Sequence, residues 1–226
     1  MNITILQSYD EAFRPLAELA LPNVAAYAAK HGYNHVTVAK RLVNGRHPSW
    51  DKVELARWWE QQTPVGDWAL VLDVDAVFLD MDKPLTDLIP GDKDYSLVVC
   101  ADGPDSKEHW HFNAGSMMVQ ATELAAALFN EVLNADHHHN APNWEQEAFQ
   151  QLAKLGSAYQ DREWVQYQDQ IFRYPNHLEF NHRGPFVHHF CGCGSVEERV
   201  KLMKEELNGA FGKTSPCEVP TQAADS

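Results

Sequence analysis

The chain has 226 residues, enough to bury one substantial core, and its 44% hydrophobic and 11% aromatic content is that of a globular protein. Its 18 basic against 32 acidic residues give a formal charge of −14, which excludes a nucleic-acid backbone as partner, since that binding relies on clustered Lys and Arg. Met1 to Leu6 lacks the basic start and long apolar core of a signal peptide, and no run reaches the length of a membrane span, so a soluble, cytoplasmic protein is expected.

Ile3 to Leu6 reads as a first strand that opens into the polar Gln7, Ser8, Tyr9 and Asp10. A helix follows from Ala12 to Lys30, with Pro22 as a candidate break and Gly32 as its C-cap, and Val36 to Val38 is a second strand. Strand, helix and strand in succession open an α/β fold with a largely parallel sheet. Trp50 to Gln62 has the pattern of an amphipathic helix, and Thr63 to Gly66 is a loop.

Ala69 to Val77 then reads as one apolar strand carrying Asp73 and Asp75. Strand alternation puts both carboxylates on one side and Val74 on the other. Like charges this close repel unless one is protonated or a cation lies between them. Apolar character resumes at Ala76 to Leu79, so the pair interrupts a buried stretch and asks for a metal; the plainer alternative is a surface turn. The end of about the third strand is where open α/β sheets bind ligands.

Downstream come a strand at Ser96 to Cys100, a polar loop at Asp102 to Lys107, a strand at Phe112 to Val119, and a helix from Thr122, its N-cap, to Leu133. Trp144 to Leu155 reads as a helix, Gln166 to Phe190 as loops around a site, Ser195 to Leu207 as a closing helix, and 213–226 as a weakly ordered tail. Cys100, Cys191, Cys193 and Cys217 are too few for a disulfide framework and form no Cys-x-x-Cys pair; Cys191 and Cys193 read as small buried residues beside a site. No internal repeat, phosphate-binding loop or dinucleotide fingerprint is present.

A strand followed by Asp-x-Asp-x-Val also opens phosphatases of the haloacid-dehalogenase class, with Asp73 as nucleophile. Those enzymes place the motif on the first strand and need a later Lys and acidic pair. Here two strands precede it, and Gly91-Asp92-Lys93-Asp94 comes too early.

Five segments in order carry a resemblance: Ser49-Trp50-Asp51-Lys52, Trp68 to Phe78, Phe112-Asn113-Ala114-Gly115-Ser116, Glu145-Gln146, and His188-His189-Phe190-Cys191-Gly192-Cys193. With them the chain resembles glycosyltransferase family 34, the galactosyl transferase family of retaining α-galactosyl-, α-xylosyl- and α-mannosyltransferases. The resemblance implies one GT-A catalytic domain over 1–212, with a Rossmann-like, mostly parallel sheet. Its nucleotide-binding half would span about 1–110, and its sugar and acceptor half about 111–212. It implies metal-dependent transfer of a sugar from a nucleotide-diphosphate donor, UDP-linked by preference, to a hydroxyl of a glycan or other acceptor. Configuration would be retained by front-face attack, the leaving phosphate oxygen taking the acceptor's proton.

By the same resemblance Asp73, Asp75 and His189 are metal ligands, and an imidazole among hard oxygens tilts the choice from magnesium to manganese. Asn113, Glu145 and Gln146 are the catalytic candidates facing the donor sugar. Gln7, Ser8, Tyr9, Lys52, Asp73, Val74, Gly115 and Gly192 line the donor, Gly115 by letting the backbone approach it. Plainer readings stand beside these: a tight turn at Asn113, a solvated helix start at Glu145, a solvated Lys52, and His188 in place of His189. Trp110, Trp144 and Trp164 face an acceptor sugar or pack in the core, and His137 to His139 read as a solvated loop. Gly194 stands near where some members carry a basic residue for the diphosphate, so that contact must come from elsewhere. A non-catalytic nucleotide-sugar or glycan-binding module is the alternative of another class. Oligomeric state, donor sugar and acceptor are not encoded legibly.

Overall fold

The computed structural model describes residues 1–91, 95–102, 111–135, 143–158, 171–174 and 183–209, with backbone alone for 153–158. A six-stranded sheet is built from β1 (Ile3–Ser8), β2 (Asn34–Val38), β3 (Trp68–Leu72), β5 (Leu97–Ala101), β6 (Phe112–Gln120) and β7 (Ile171–Tyr174), in the order β2-β1-β3-β6-β5-β7. β1 is parallel to β2 and β3, and β5 to β7, while β6 runs antiparallel between β3 and β5. The sheet is thus mostly parallel with one reversed strand, as expected of the α/β reading.

Near-continuous apolar runs make β1, β3 and β5, because both faces of the sheet are covered there, whereas the edge strands β2 and β7 are less buried. Leu6, Val71 and Val119 face the side of α2 (Trp50–Glu60), α3 (Glu123–Asn134) and α4 (Trp144–Ala158), packing with Trp50, Val53, Phe129 and Phe149. Their neighbours Ile5, Leu70 and Met118 face the other side, with Val24 and Tyr27 of α1 (Arg14–His31) and Phe78 of the short strand β4 (Ala76–Phe78). Period-two alternation therefore splits the core into two layers.

α1 runs unbroken through Pro22 and ends at Gly32, φ +70°, the C-cap expected from sequence. A proline removes one helix hydrogen bond, but Leu16, Ala17 and Ala20 before it and Val24, Tyr27 and Ala28 after it are all buried, and that packing holds the helix together. Thr122 caps α3 by accepting from Ala125 N at 3.1 Å. Among the described residues no helix is long and apolar enough to cross a membrane.

Two expectations are corrected. The aspartates do not lie on a strand: β3 stops at Leu72, Asp73 N makes a last ladder bond to Gly115 O at 2.8 Å, and the chain turns, closed by Ala76 N to Asp73 O at 3.2 Å. It then enters β4, which pairs antiparallel with β8 (Val187–His189) as a separate two-stranded sheet. The change of sheet, and not strand alternation, brings the carboxylates together. The stretch expected as loops, Gln166 to Phe190, contains β7 and β8. Trp110, Trp164, His137 to His139, Asp92 to Asp94 and the tail 213–226 lie outside the described residues.

β8 is tied to the closing helix α5 (Val196–Leu207) by a buried carboxylate. Glu206 accepts from Arg183 Nε and Nη2 at 2.9 and 3.0 Å and from His188 Nδ1 at 2.7 Å. Burial lowers the His188 pKa to about 4 against the pull of Glu206, so the ring is neutral at pH 7 and donates Nδ1–H. The unfolded chain then binds the extra proton between pH 6.5 and 4, and stability falls as pH falls through that window. Chemical denaturation should show a loss on the order of 2 kcal/mol across it. The His188→Gln variant should be less stable overall and lack that slope; an unchanged slope would contradict the assignment.

Candidate active site

The site forms where the turn after β3, the middle of β6, the first turns of α2 and α4, the end of β8 and the first turn of α5 meet. α2 is anchored by Asp51, whose buried carboxylate accepts from Leu42 N, Val43 N and Arg41 Nε at 3.0, 2.7 and 2.7 Å. The next residue, Lys52, is buried instead of solvated. Its Nζ lies 2.6 Å from Asp73 Oδ1, 3.0 Å from Glu145 Oε1 and 3.3 Å from Ala114 O. Burial alone would pull the ammonium's pKa down, but Asp73 and Glu145 hold it above its ordinary value.

Asp75 is buried and faces His189 and Arg199. Its Oδ1 is 3.2 Å from His189 Nε2, and its Oδ2 accepts from Arg199 Nη1 at 2.7 Å. These overcome desolvation and hold the Asp75 pKa well below the carboxylate range. Asp73, 3.7 Å from the same imidazole nitrogen, is shifted the opposite way, by desolvation and the nearby Asp75 and Glu145 working against Lys52. His189 is raised well above its usual pKa: burial opposes its charge, but Cys191 and Asp75 beside it favour the imidazolium.

Ligand atoms of Asp73, Asp75 and His189 all lie within 4.8 Å of one another. Octahedral coordination at about 2.1 Å places adjacent ligands about 3 Å apart, so the 3.2 Å between His189 Nε2 and Asp75 Oδ1 fits two ligands of one ion with little movement. Two carboxylate oxygens and an imidazole are donors suited to manganese or magnesium. The residues present therefore fit a divalent cation.

The remaining candidates have specific places. Asn113 Oδ1 accepts from Gly115 N at 2.8 Å and its Nδ2 donates to Asp102 Oδ1 at 3.1 Å. Gln146 Oε1 accepts from Ala114 N at 3.0 Å and its Nε2 donates to Asp102 Oδ2 at 3.0 Å. Both amides, expected at sugar hydroxyls, hold the β6 backbone in place. Glu145 differs: Oε2 is buried without a hydrogen-bond partner and is an acceptor in waiting. Gln7 is buried, with Nε2 3.4 Å from Asp73 O and Oε1 2.9 Å from His35 Nε2, so it supports the turn. Ser8 ends β1, and Tyr9 N donates to Val38 O at 3.0 Å.

The Val74 side chain packs with Leu16, Phe190 and Met203, leaving only its backbone for a ligand. Gly192, φ +72°, serves the turn after β8. Cys191 and Cys193, expected as small buried residues beside a site, are both half-buried; Cys191 is not in a disulfide and lies beside His189, whereas Cys193 is disulfide-bonded. Trp144 opens α4 at φ +45°, a strained conformation for an aromatic residue, and stacks on His47 with ring centroids 3.6 Å apart.

Two residues were not legible in the sequence. Asp102 carries one sign, an acid placed directly after an apolar strand; Arg199 carries none, being one basic residue on a charged helix.

Gly115 has a steric role besides the one expected. A Cβ there would stand 2.1 Å from His189 Cε1, so the missing side chain makes room for the imidazole. Gly115→Ala should cost about 1–3 kcal/mol and move His189 off the site, read as a lower melting temperature and loss of manganese binding. Undiminished manganese affinity would contradict this packing role. Lys52→Met, which leaves Asp73 and Glu145 without their shared cation, should cost about 3–5 kcal/mol in denaturant unfolding.

A family model described as nucleotide-diphospho-sugar transferase matches residues 64–201, and one described as the galactosyl transferase GMA12/MNN10 family matches 6–105. Among solved structures, a glycosyltransferase involved in the glycosylation of the major capsid of PBCV-1 is similar at 19% identity and a TM-score of 0.67, over 90% of this chain and 99% of that one. The apo-form glycosyltransferase GlyE of Streptococcus pneumoniae TIGR4 is similar at 16% identity and a TM-score of 0.50, over 93% of this chain and 64% of that one. The bifunctional glycosyltransferase WbbM gives 11% identity and a TM-score of 0.51, over 92% and 51%. No curated protein matches the chain. The match over 64–201, spanning the aspartate turn, Glu145 and His189, sets aside the phosphatase and the binding module: the chain belongs to the nucleotide-diphospho-sugar transferase family and is a glycosyltransferase of GT-A fold.

Proposed function

We propose that the enzyme moves a sugar from a UDP-linked donor to a hydroxyl of a glycan or other acceptor, with retained configuration and with manganese held by Asp73, Asp75 and His189. The observation that carries this reading is the convergence of those three residues' ligand atoms within 4.8 Å, beside the C-terminal end of β3. A divalent ion bound there supplies a positive counter-charge for the departing diphosphate. Residues of 1–110, with Gln7, Ser8 and Tyr9 at the end of β1, form the nucleotide half, and 111–212 the sugar and acceptor half.

Lys52 fixes the Asp73 and Glu145 carboxylates, so neither can swing when a donor enters. Glu145 Oε2, unpartnered, accepts from a sugar hydroxyl or faces positive charge developing at the anomeric carbon. Asn113 and Gln146 act one step back: with Asp102 they hold Ala114 and Gly115, and so the strand against which His189 packs.

Retention is part of the proposal: inversion would need a carboxylate free to take the acceptor's proton, whereas Glu145 Oε1 is engaged by Lys52 Nζ at 3.0 Å. In front-face transfer the bond from the acceptor oxygen to the anomeric carbon forms as the bond to phosphate breaks, and the acceptor's proton passes to the leaving phosphate oxygen.

A panel of UDP- and GDP-sugars with manganese, magnesium or chelator tests this reading. Turnover should require the cation, be highest with manganese and a UDP-sugar, and give a product of unchanged anomeric configuration by NMR. Asp75→Ala should lower turnover at least ~10²-fold. Full activity in that variant, or in chelator, would overturn the metal assignment.

A further inference from the structure

We propose that Arg199 is a handover cation: it holds Asp75 while the metal site is empty, yields that carboxylate to an entering divalent ion, and then pairs with the donor's diphosphate. The proposal rests on the reading of Asp75 as a metal ligand. In the structure the guanidinium donates from Nη1 to Asp75 Oδ2 at 2.7 Å, and Asp75 Oδ1 lies 3.2 Å from His189 Nε2. Asp75 Oδ2 is therefore taken, and an ion entering on Oδ1 must share the carboxylate's charge with the Arg199 guanidinium beside it. Lys52 already pairs with Asp73 and Glu145, and Arg199 with Asp75, so a divalent ion entering alone meets carboxylates whose charge is largely compensated. An anion arriving with it would restore the balance.

Arg199 is the side chain suited to meet that anion. Lys52 has three N–H donors, directed to Asp73, Glu145 and Ala114 O, and has none to spare. The N-terminus of α5 is unsuited to a phosphate because it is capped from within. Glu198 N donates to Ser195 Oγ at 3.2 Å, and Ser195 N to the Glu198 carboxylate at 2.7 Å, which also puts a negative charge there. Gly194 brings no cation to the turn before the helix. Arg199 Nε is buried without a hydrogen-bond partner, so the guanidinium has unused donors. It lies 5.6 Å over the Phe13 ring, a contact that can keep it near the site once it leaves Asp75. Its planar fork matches two phosphate oxygens better than an ammonium would.

The test is two binding titrations on Arg199→Gln and Arg199→Lys, each first checked by its melting temperature: manganese alone, then UDP at saturating manganese. Removing the competing cation should tighten manganese binding to Arg199→Gln about 5- to 10-fold and weaken UDP binding about 10-fold or more, with Arg199→Lys between it and the wild type in both. These opposite signs are what a merely supporting residue would not give. Weaker manganese binding in both variants would make Arg199 only a brace for Asp75, and unchanged UDP affinity would remove the diphosphate contact; either overturns the proposal. If the wild-type protein binds no manganese, the metal reading itself fails and this proposal with it. A wild type that binds manganese, with variants that behave like it, overturns the handover alone.

Discussion

Three carboxylates drawn together at the edge of the main sheet, and the lysine, arginine and histidine side chains that keep them there, are the constraint on which the site depends. Asp73, Asp75 and Glu145 meet Lys52, His189 and Arg199 at distances from 2.6 to 3.7 Å. Burying one such charge without its partner is costly, and a buried pair at best returns what its desolvation takes. The arrangement is therefore poor as a stabilising device. It makes sense as a site whose charges are kept ready for another cation and an anion.

The fold pays attention to that constraint in its connections. β6 enters the sheet against the direction of its neighbours, which sets Ala114 and Gly115 opposite the end of β3. The chain then leaves the main sheet through the Asp73–Asp75 turn and pairs β4 with β8, with Ala76 opposite His189, so one register delivers both the second aspartate and the histidine. Phe190 N donates to Asp75 O at 2.8 Å and fixes that register at the site itself. α5 closes the arrangement by anchoring to β8 through Glu206 and presenting Arg199 from its first turn.

Much of this was legible in the sequence, for identifiable reasons. β1, β3 and the α/β succession follow from long apolar runs that no other environment would take. The Asp73 and Asp75 pair declared itself through repulsion, although strand alternation was the wrong geometry for it, since the backbone changes sheet at that point. His189 could be told from His188 only with the flanking Gly192 and Cys193. In the structure the two part clearly: His188 turns to Glu206, and His189 to the aspartates. Gly115 was marked as important, but the reason was a neighbour 74 residues away that only the fold supplies. Arg199 was illegible because its partner is 124 residues away in sequence, and a basic residue on an otherwise solvated helix carries no local pattern. Asp102 was hidden in the same way, as its partners Asn113 and Gln146 come from two other elements.

We propose that the charge-paired cluster opens to a metal and a nucleoside diphosphate at one place. A crystal structure with UDP and manganese, with anomalous diffraction used to locate the ion, is the decisive test. One manganese peak is expected, bounded by Asp73, Asp75 and His189, with the diphosphate on it and the Arg199 guanidinium moved from Asp75 to a phosphate oxygen. A nucleotide bound elsewhere, or a diphosphate in place with no manganese peak among these residues, would contradict it.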